Sequence, residues 1–368
     1  MSAQSRGAQG DWQRDVFREL GGASAPADPD PAVPGTGTEA APPGALPPPA
    51  RSSRPSLPPP APEPEPVVSP ALGGDRVRHG DPLPRRALRV LRRTLLSSAA
   101  RQTEEAARVA RLIQQPITTG RQIAVTSIRG GAGKSTVAAL LALAFAPHRH
   151  DPVLAVEADP ALGTLARRLG ATQVRWTCGD VARIIDPSMQ ITDVTGYLLP
   201  FAGGGWLLPG SRGTAGAQLD VEIYRIVMTS LRRYFGTTVV DCETMPAEVA
   251  RTALATTQAR VLVSPATTAG AVATRSVLDW LGGLHRSMLP RTVVVLAHTA
   301  PDMGLDPRKA AAYLEAGGAR VVALPYDRAL AGGGVIRTGL LGEATREAAA
   351  LIAAESMDRA MARGGGRA

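Results

Sequence analysis

From residue 122 onward, short unbroken apolar runs alternate with longer stretches whose apolar residues return every three or four positions. The runs Gln122–Ile128, Val153–Glu157, Thr237–Asp241, Arg260–Ser264, Thr292–Ala297 and Arg320–Leu324 are rich in β-branched residues. Continuous rather than alternating, they have the pattern of strands buried on both faces. The stretches Lys134–Ala146, Gln218–Tyr234, Thr267–Gly282, Asp306–Ala316 and Gly342–Ala362 read as helices. Strand and helix in alternation predict an α/β fold, a mostly parallel sheet with helices on both faces. Only residues 196–213 break the rhythm. There Leu198–Phe201 and Trp206–Leu208 flank a run of glycines, the signature of a hairpin.

Upstream of residue 121 the pattern changes twice. Residues 26–84 hold 19 of the chain's 32 prolines, in runs such as "LPPPA" and "PPPAPEPEPVV". Proline resists helix and supplies no backbone donor, so this stretch reads as a disordered, partly extended tether; a proline-rich ligand for a small recognition domain has the same look. Ahead of it, Trp12, Val16, Phe17 and Leu20 share one face of a short helix over 11–20 that Asp11 would cap. Such a helix is marginal alone and suits a docking peptide or a loose terminus equally. Behind it, Arg85, Arg86, Arg89, Arg92 and Arg93 alternate with Leu88, Leu91 and Leu95 at helical spacing. A basic amphipathic helix of this kind packs on a neighbour, faces solvent, or meets anionic lipid or DNA. Helical spacing resumes through "RQTEEAARVARLIQQ" and stops at Pro116. The resulting division is a tail over 1–84, a basic helical linker over 85–120 and one α/β domain over 121–368.

Composition narrows the classes further. A formal net charge of +9, carried by arginine more than lysine, permits contact with nucleic acid or anionic membrane without requiring it. The two cysteines, Cys178 and Cys242, are far apart and in no C-x-x-C, which argues against a disulfide framework and for a reducing cytoplasm. "MSAQSRGAQGDWQRD" has no apolar core of a signal peptide, and the longest apolar run, Val137–Pro147, is too short to span a bilayer. His148 and His150 with Asp151 have the look of a metal site, but more simply they decorate the loop after the first helix.

The chemistry concentrates in "IAVTSIRGGAGKST", residues 123–136. A buried strand, a glycine turn and a helix start are the context of a phosphate-binding loop, whose usual form is G-x-x-x-x-G-K-[ST]. Gly133, Lys134 and Ser135 fit its end, while Ile128 stands where the first glycine belongs. Backbone N–H groups of Gly130, Gly131, Ala132 and Gly133 would cradle a polyphosphate at the positive end of the following helix. Lys134 would reach the β- and γ-phosphates, and the Ser135 hydroxyl would enter a Mg2+ shell. In such sheets ligands sit at the carboxyl ends of strands. Two acids are placed there: Asp159 after "VLAVE" and Asp241 at the end of "TTVVD". Each is also an ordinary strand-end charge or helix cap.

In order and spacing, "RGGAGKST", "VEADPALGTL", "VVDCETMP" and "ALPYD" resemble the MinD/ParA family of deviant Walker-A P-loop ATPases over about residues 121–345. The look is that of actinobacterial members with proline-rich N-terminal tails, some linked to type VII secretion. In that family the loop reads x-K-G-G-x-G-K-[ST], so Ile128 is no defect. The resemblance implies that Gly130, Gly131, Gly133, Lys134, Ser135 and Thr136 bind ATP with Mg2+. It implies that Asp159 positions the attacking water and that Asp241 acts on Mg2+ through water. Arg129 falls where the family has a signature lysine that crosses a dimer interface, so ATP would drive a homodimer. His298 falls where an asparagine often reads the base, and Pro325 and Tyr326 would wall that base. Cys242, Glu243 and Thr244 replace the usual proline and glycine after Asp241. The two cysteines do not supply the paired ligands of the iron–sulfur relatives, and the absence of tyrosine after Tyr326 argues against the tyrosine-kinase relatives. Two functions follow: a weak ATPase switch that positions or regulates a partner assembly, or a nucleotide-binding adaptor with little or no hydrolysis. Either would be tethered to a protein partner through the tail. The expected location is the cytoplasm, peripheral at the inner face of the membrane if the Arg85–Arg93 helix engages lipid.

Overall fold

In the computed structural model the described residues are 61–67, 79–81, 99–213, 216–301, 305–315 and 317–362. The segments read as a docking helix over 11–20 and a basic helix over 85–96 lie outside them. In chain order the strands are β1 (Glu65–Pro66), β2 (Arg121–Ser127), β3 (Val153–Ala158), β4 (Gln173–Val174), β5 (Leu199–Phe201), β6 (Gly205–Leu208), β7 (Thr237–Cys242), β8 (Ala259–Pro265), β9 (Thr292–Ala297) and β10 (Arg320–Leu324). Eight of them form one sheet in the order β10-β9-β8-β2-β7-β3-β6-β5. Every neighbouring pair is parallel except the hairpin β5–β6, in which Phe201 faces Gly205.

The central strands are apolar throughout because helices cover both faces. On one face Val125, Ala155, Val239, Val261 and Val293 meet helix Lys134–Phe145, helix Glu343–Met361 and Ile113. On the other, Ala124, Leu154, Val156, Val240 and Leu262 meet helices Val221–Leu231, Glu248–Thr256 and Thr268–Leu284. Helix Lys134–Phe145 is buried at every position but Ala144, which suits its place directly behind the central strands.

Two boundaries differ from the sequence reading. Helix Ala99–Ile113, assigned to the linker, belongs to the domain wall: Val109, Leu112 and Ile113 join the core, and Gln115 reaches Asp358 at 3.5 Å. The stretch read as a tether also contributes. Glu65 and Pro66 pair antiparallel with Val174 and Gln173, and residues 79–81 lie against the start of helix Glu343–Met361. Five short helices escaped the periodicity reading: Leu165–Arg168, Cys178–Ile184, Ile191–Thr195, Glu248–Thr256 and Arg328–Ala331. Each has too few turns to build a stripe; capping fixes Cys178–Ile184, where Thr177 and Asp180 cap one another reciprocally. No described helix is long and apolar enough to cross a membrane.

Candidate functional site

The loop of residues 128–133 leaves the carboxyl end of β2 and turns into helix Lys134–Phe145. Gly131 and Gly133 adopt φ of +75° and +94°, a left-handed geometry that other residues resist. A Cβ at Gly130, Gly131 or Gly133 would meet no described atom within 4 Å, so among the described residues the space over the loop is open. No described side chain caps the helix, so its first N–H groups are placed to meet an anion.

Register brings the two acids beside it. Val125 on β2 is opposite Asp241 on β7, and Asp241 is opposite Glu157 on β3. Lys134 Nζ donates to Asp159 Oδ2 at 2.8 Å and to Asp241 Oδ1 at 3.3 Å. Burial works against the Lys134 charge, but Asp241 and Asp159 outweigh it and hold the ammonium above the ordinary lysine range. Asp241 is fully buried; desolvation pushes its carboxyl up, and the Lys134 charge pulls it back. Among the described residues its Oδ2 has no partner at good hydrogen-bond geometry, although the nearby Ser135 hydroxyl also lowers the carboxyl. A buried carboxylate oxygen left open beside the buried Ser135 fits a hydrated divalent cation.

Asp159 heads a tight loop. Its Oδ1 accepts from the Leu162 N–H at 3.1 Å, and its carbonyl accepts from the Gly163 N–H at 2.9 Å. Gly163 has no room for a side chain, since a Cβ would lie 2.3 Å from the Asp159 carbonyl oxygen. Glu157 fixes the loop from below: Oε1 accepts from Leu165 N–H at 2.9 Å and Oε2 from Gly210 N–H at 3.3 Å. Burial, and then the nearby Asp241, push the Glu157 carboxyl up to about 7 despite those donors. Glu243 stays near this cluster: partial burial, and then Asp159, raise its carboxyl, while its carbonyl accepts from Thr126 Oγ1 at 2.6 Å.

A cavity of about 220 Å³ opens from the loop toward β9 and β10. Gly131, Ala132, Gly133 and Thr136 line one end, and His298, Pro325 and Tyr326 line the other. The His298 ring Nδ1 lies 3.1 Å from the Leu324 carbonyl, which can only accept, so the neutral ring carries its proton there and leaves Nε2 as an acceptor. Arg129 is exposed and does not line the cavity. All the sequence-derived candidates except Arg129 therefore gather around one cluster and the cavity beside it. The sequence reading missed Glu157 and Arg168. Arg168 also lines the cavity, and its Nη1 donates to Leu330 O at 2.9 Å. For Glu157 the signal was a carboxylate inside an otherwise apolar strand; Arg168 offered none among so many arginines. Cys178 and Cys242 are both free and buried. Asp151 is held by Arg149 at 2.6 Å, and no group of three metal-ligating side chains occurs among the described residues.

No family model matches the chain. Among curated proteins, it is 30% identical over 229 residues to the ESX-1 secretion-associated protein EspI of Mycobacterium tuberculosis. That match covers 60% of this chain but only 34% of the relative. Among solved structures, a ParA family ATPase from Chlorobium tepidum is 17% identical with a TM-score of 0.48, covering 56% of this chain and 85% of that one. The cell division ATPase MinD of Pyrococcus furiosus is 22% identical with a TM-score of 0.45, covering 65% of this chain and 98% of that one. In its phosphate loop this chain resembles the MinD/ParA family of deviant Walker-A P-loop ATPases.

Proposed function

We propose that this chain is an ATP-dependent switch: it binds ATP with Mg2+, pairs with a second copy when loaded, and resets by slow hydrolysis. The observation that carries the reading is Lys134, held between Asp159 and Asp241 at the mouth of an uncapped helix N-terminus. An ammonium parked between two acids, beside a loop with open space over it, is a cation waiting for a polyphosphate.

Each residue then has a task. The N–H groups of Gly130 to Gly133 and of Ser135 and Thr136 wrap the phosphates, and Lys134 moves from Asp159 to the terminal ones. Asp159, released, turns its carboxylate to the attacking water. Ser135, with Asp241 through water, would hold Mg2+. Bound there, the cation would offset charge on the phosphate oxygens. Arg129, exposed at the lip, reaches the phosphates of a second copy. Pro325 and Tyr326 wall the base, and His298 offers Nε2 to an exocyclic amine. That donor–acceptor match favours adenine over guanine, which presents a carbonyl at the same place.

A second reading is supported by Glu243. Its carboxyl lies near enough to Asp159 to feel that charge, and a negative group there opposes a triphosphate. With that repulsion the chain would bind nucleotide and turn it over little or not at all, as an adaptor. Under either reading the N-terminal tail engages a protein partner in the cytoplasm, and the likeness to EspI directs that search toward a secretion apparatus. Titration calorimetry of the full chain with Mg-ATP tests the reading. Binding with wild-type protein and its loss in Lys134→Ala support it; equal binding by both refutes it.

A further inference from the structure

The nucleotide reading leaves unused the two short pieces of the N-terminal stretch that lie on the domain. The first is a strand addition. Glu65 pairs with Val174 and Pro66 with Gln173, and the Val67 N–H donates to Thr172 O at 3.0 Å. Val67 packs on the core and, with Val174, closes a cavity of about 250 Å³ whose other walls include Glu157, Pro160, Gly163 and Thr164. Those residues are the back of the Asp159 loop.

The second piece is a close fit. The Gly80 N–H donates to Leu340 O at 2.8 Å, and the Glu343 N–H donates to Asp81 Oδ2 at 3.3 Å. Asp81 thereby sets a carboxylate at the positive end of helix Glu343–Met361. Gly80 lies so near the domain that a Cβ would be 2.3 Å from Asp327 Oδ1 and 2.4 Å from Gly342 N. Asp327 in turn lines the nucleotide cavity beside Tyr326, and its carboxylate accepts from Ala329 N–H and Gly342 N–H at 2.8 Å each. The two footholds are joined through Arg168. It ends the helix that leads to Thr172, lines the same cavity, donates to Leu330 O and accepts from Ile336 N–H at 2.9 Å.

We infer that the surface between Thr172–Val174 and Leu340–Glu343 is a docking site for residues 61–67 and 79–81 of this same chain, and that this two-piece strap leaves when nucleotide binds. The sign follows from Lys134. With the strap docked, Lys134 is paired to Asp159 at 2.8 Å, and the Thr164 N–H faces Ser135 Oγ at 3.5 Å. Phosphate binding takes Lys134 from Asp159 and shifts the loop whose back lines the same cavity as Val67. Docked strap and bound phosphates therefore ask for different positions of one loop, and each weakens the other by the same factor. Released, residues 61–67 become available to a partner only in the loaded state. This inference rests on the nucleotide reading above.

The test uses the full chain. Amide hydrogen exchange at Val67 and Gly80, whose N–H groups make the docking bonds, is followed with and without saturating Mg-ATP. The expected result is exchange about tenfold faster with Mg-ATP at both positions, with protection of the β7 amides unchanged. In parallel, Val67→Pro removes one donor and Gly80→Ala forces the second foothold off; neither residue lines the nucleotide cavity itself, and Gly80 meets it only through Asp327. The double variant should bind Mg-ATP about tenfold more tightly. Unchanged exchange in the wild type, or unchanged or weaker binding in the double variant, overturns the inference. The wild-type exchange measurement decides alone if the double variant does not fold. A wild-type chain that fails to bind Mg-ATP while Val67 and Gly80 remain protected identifies the nucleotide reading as the part that failed.

Discussion

Replacing Lys134 by methionine, close in length but neutral, isolates the electrostatic arrangement at the centre of the fold. The Lys134 and Asp159 side chains are only 9% and 11% exposed, and Asp241 is 0% exposed. Without the ammonium, Asp241 loses its charge-assisted donor, and among the described residues only the Ser135 hydroxyl remains near enough to offset its charge. Breaking a buried pair by removing one partner costs about 3–5 kcal/mol, because the remaining charge stays desolvated. With a urea dependence of about 2.5 kcal/mol per molar for a domain of this size, the midpoint should fall by about 1–2 M. Adding Asp241→Asn to Lys134→Met should recover about 2 kcal/mol, since an amide tolerates burial better than an unpaired carboxylate. The assay is urea unfolding at pH 7 without Mg2+ or nucleotide, so that binding cannot contribute. A Lys134→Met midpoint within about 0.3 M of wild type, or a double variant weaker than the single one, would refute the reasoning.

Glu157 sets a pH dependence. Its carboxyl is raised to about 7, so its contribution is fully present below the ordinary carboxylate range and is lost as pH rises through 7. Wild-type stability should fall by about 3 kcal/mol between pH 5 and 8.5, and Glu157→Gln should remove most of that slope; equal slopes in urea titrations would count against it. Gly163→Ala places a Cβ 2.3 Å from the Asp159 carbonyl oxygen, so it should cost about 1–3 kcal/mol and abolish turnover, with wild-type turnover contradicting this. His298→Ala should weaken ATP binding about tenfold and erase the preference over GTP, as competition binding would report; an intact preference would remove His298 from base reading. Neutralising Arg85, Arg86, Arg89, Arg92 and Arg93 should abolish any binding to anionic liposomes, and unchanged flotation would end the lipid reading.

The strands were legible because burial on both faces leaves continuous β-branched runs, and the phosphate loop because its glycines stand between such a run and a helix. The two acids were legible as strand-end charges, but what they do to Lys134 was not. That follows from register: Asp241 stands between Val125 and Glu157 only once β7 inserts between β2 and β3. Glu157 stood out as a carboxylate within an apolar strand, but its task was not legible because one of its donors, Gly210, is distant in sequence. Short helices such as Leu165–Arg168 and Arg328–Ala331 lack enough turns for a periodic signal, and a local cap such as Asp327 accepting from Ala329 N–H does not by itself announce a helix. The strand pairing of Glu65–Pro66 was hidden for a related reason. Proline marks a segment as poor in donors, yet an edge pairing needs only the Val67 N–H and a free carbonyl at Thr172.

The most direct measurement of the switch is ATP turnover per protomer by the full chain across a range of protein concentrations, beside Lys134→Ala and Arg129→Ala. Turnover should rise with concentration, vanish in Lys134→Ala, and lose its concentration dependence in Arg129→Ala while ATP binding persists. Turnover that is absent or independent of concentration in the wild type, despite saturating Mg-ATP, would contradict a switch reset by hydrolysis in a dimer.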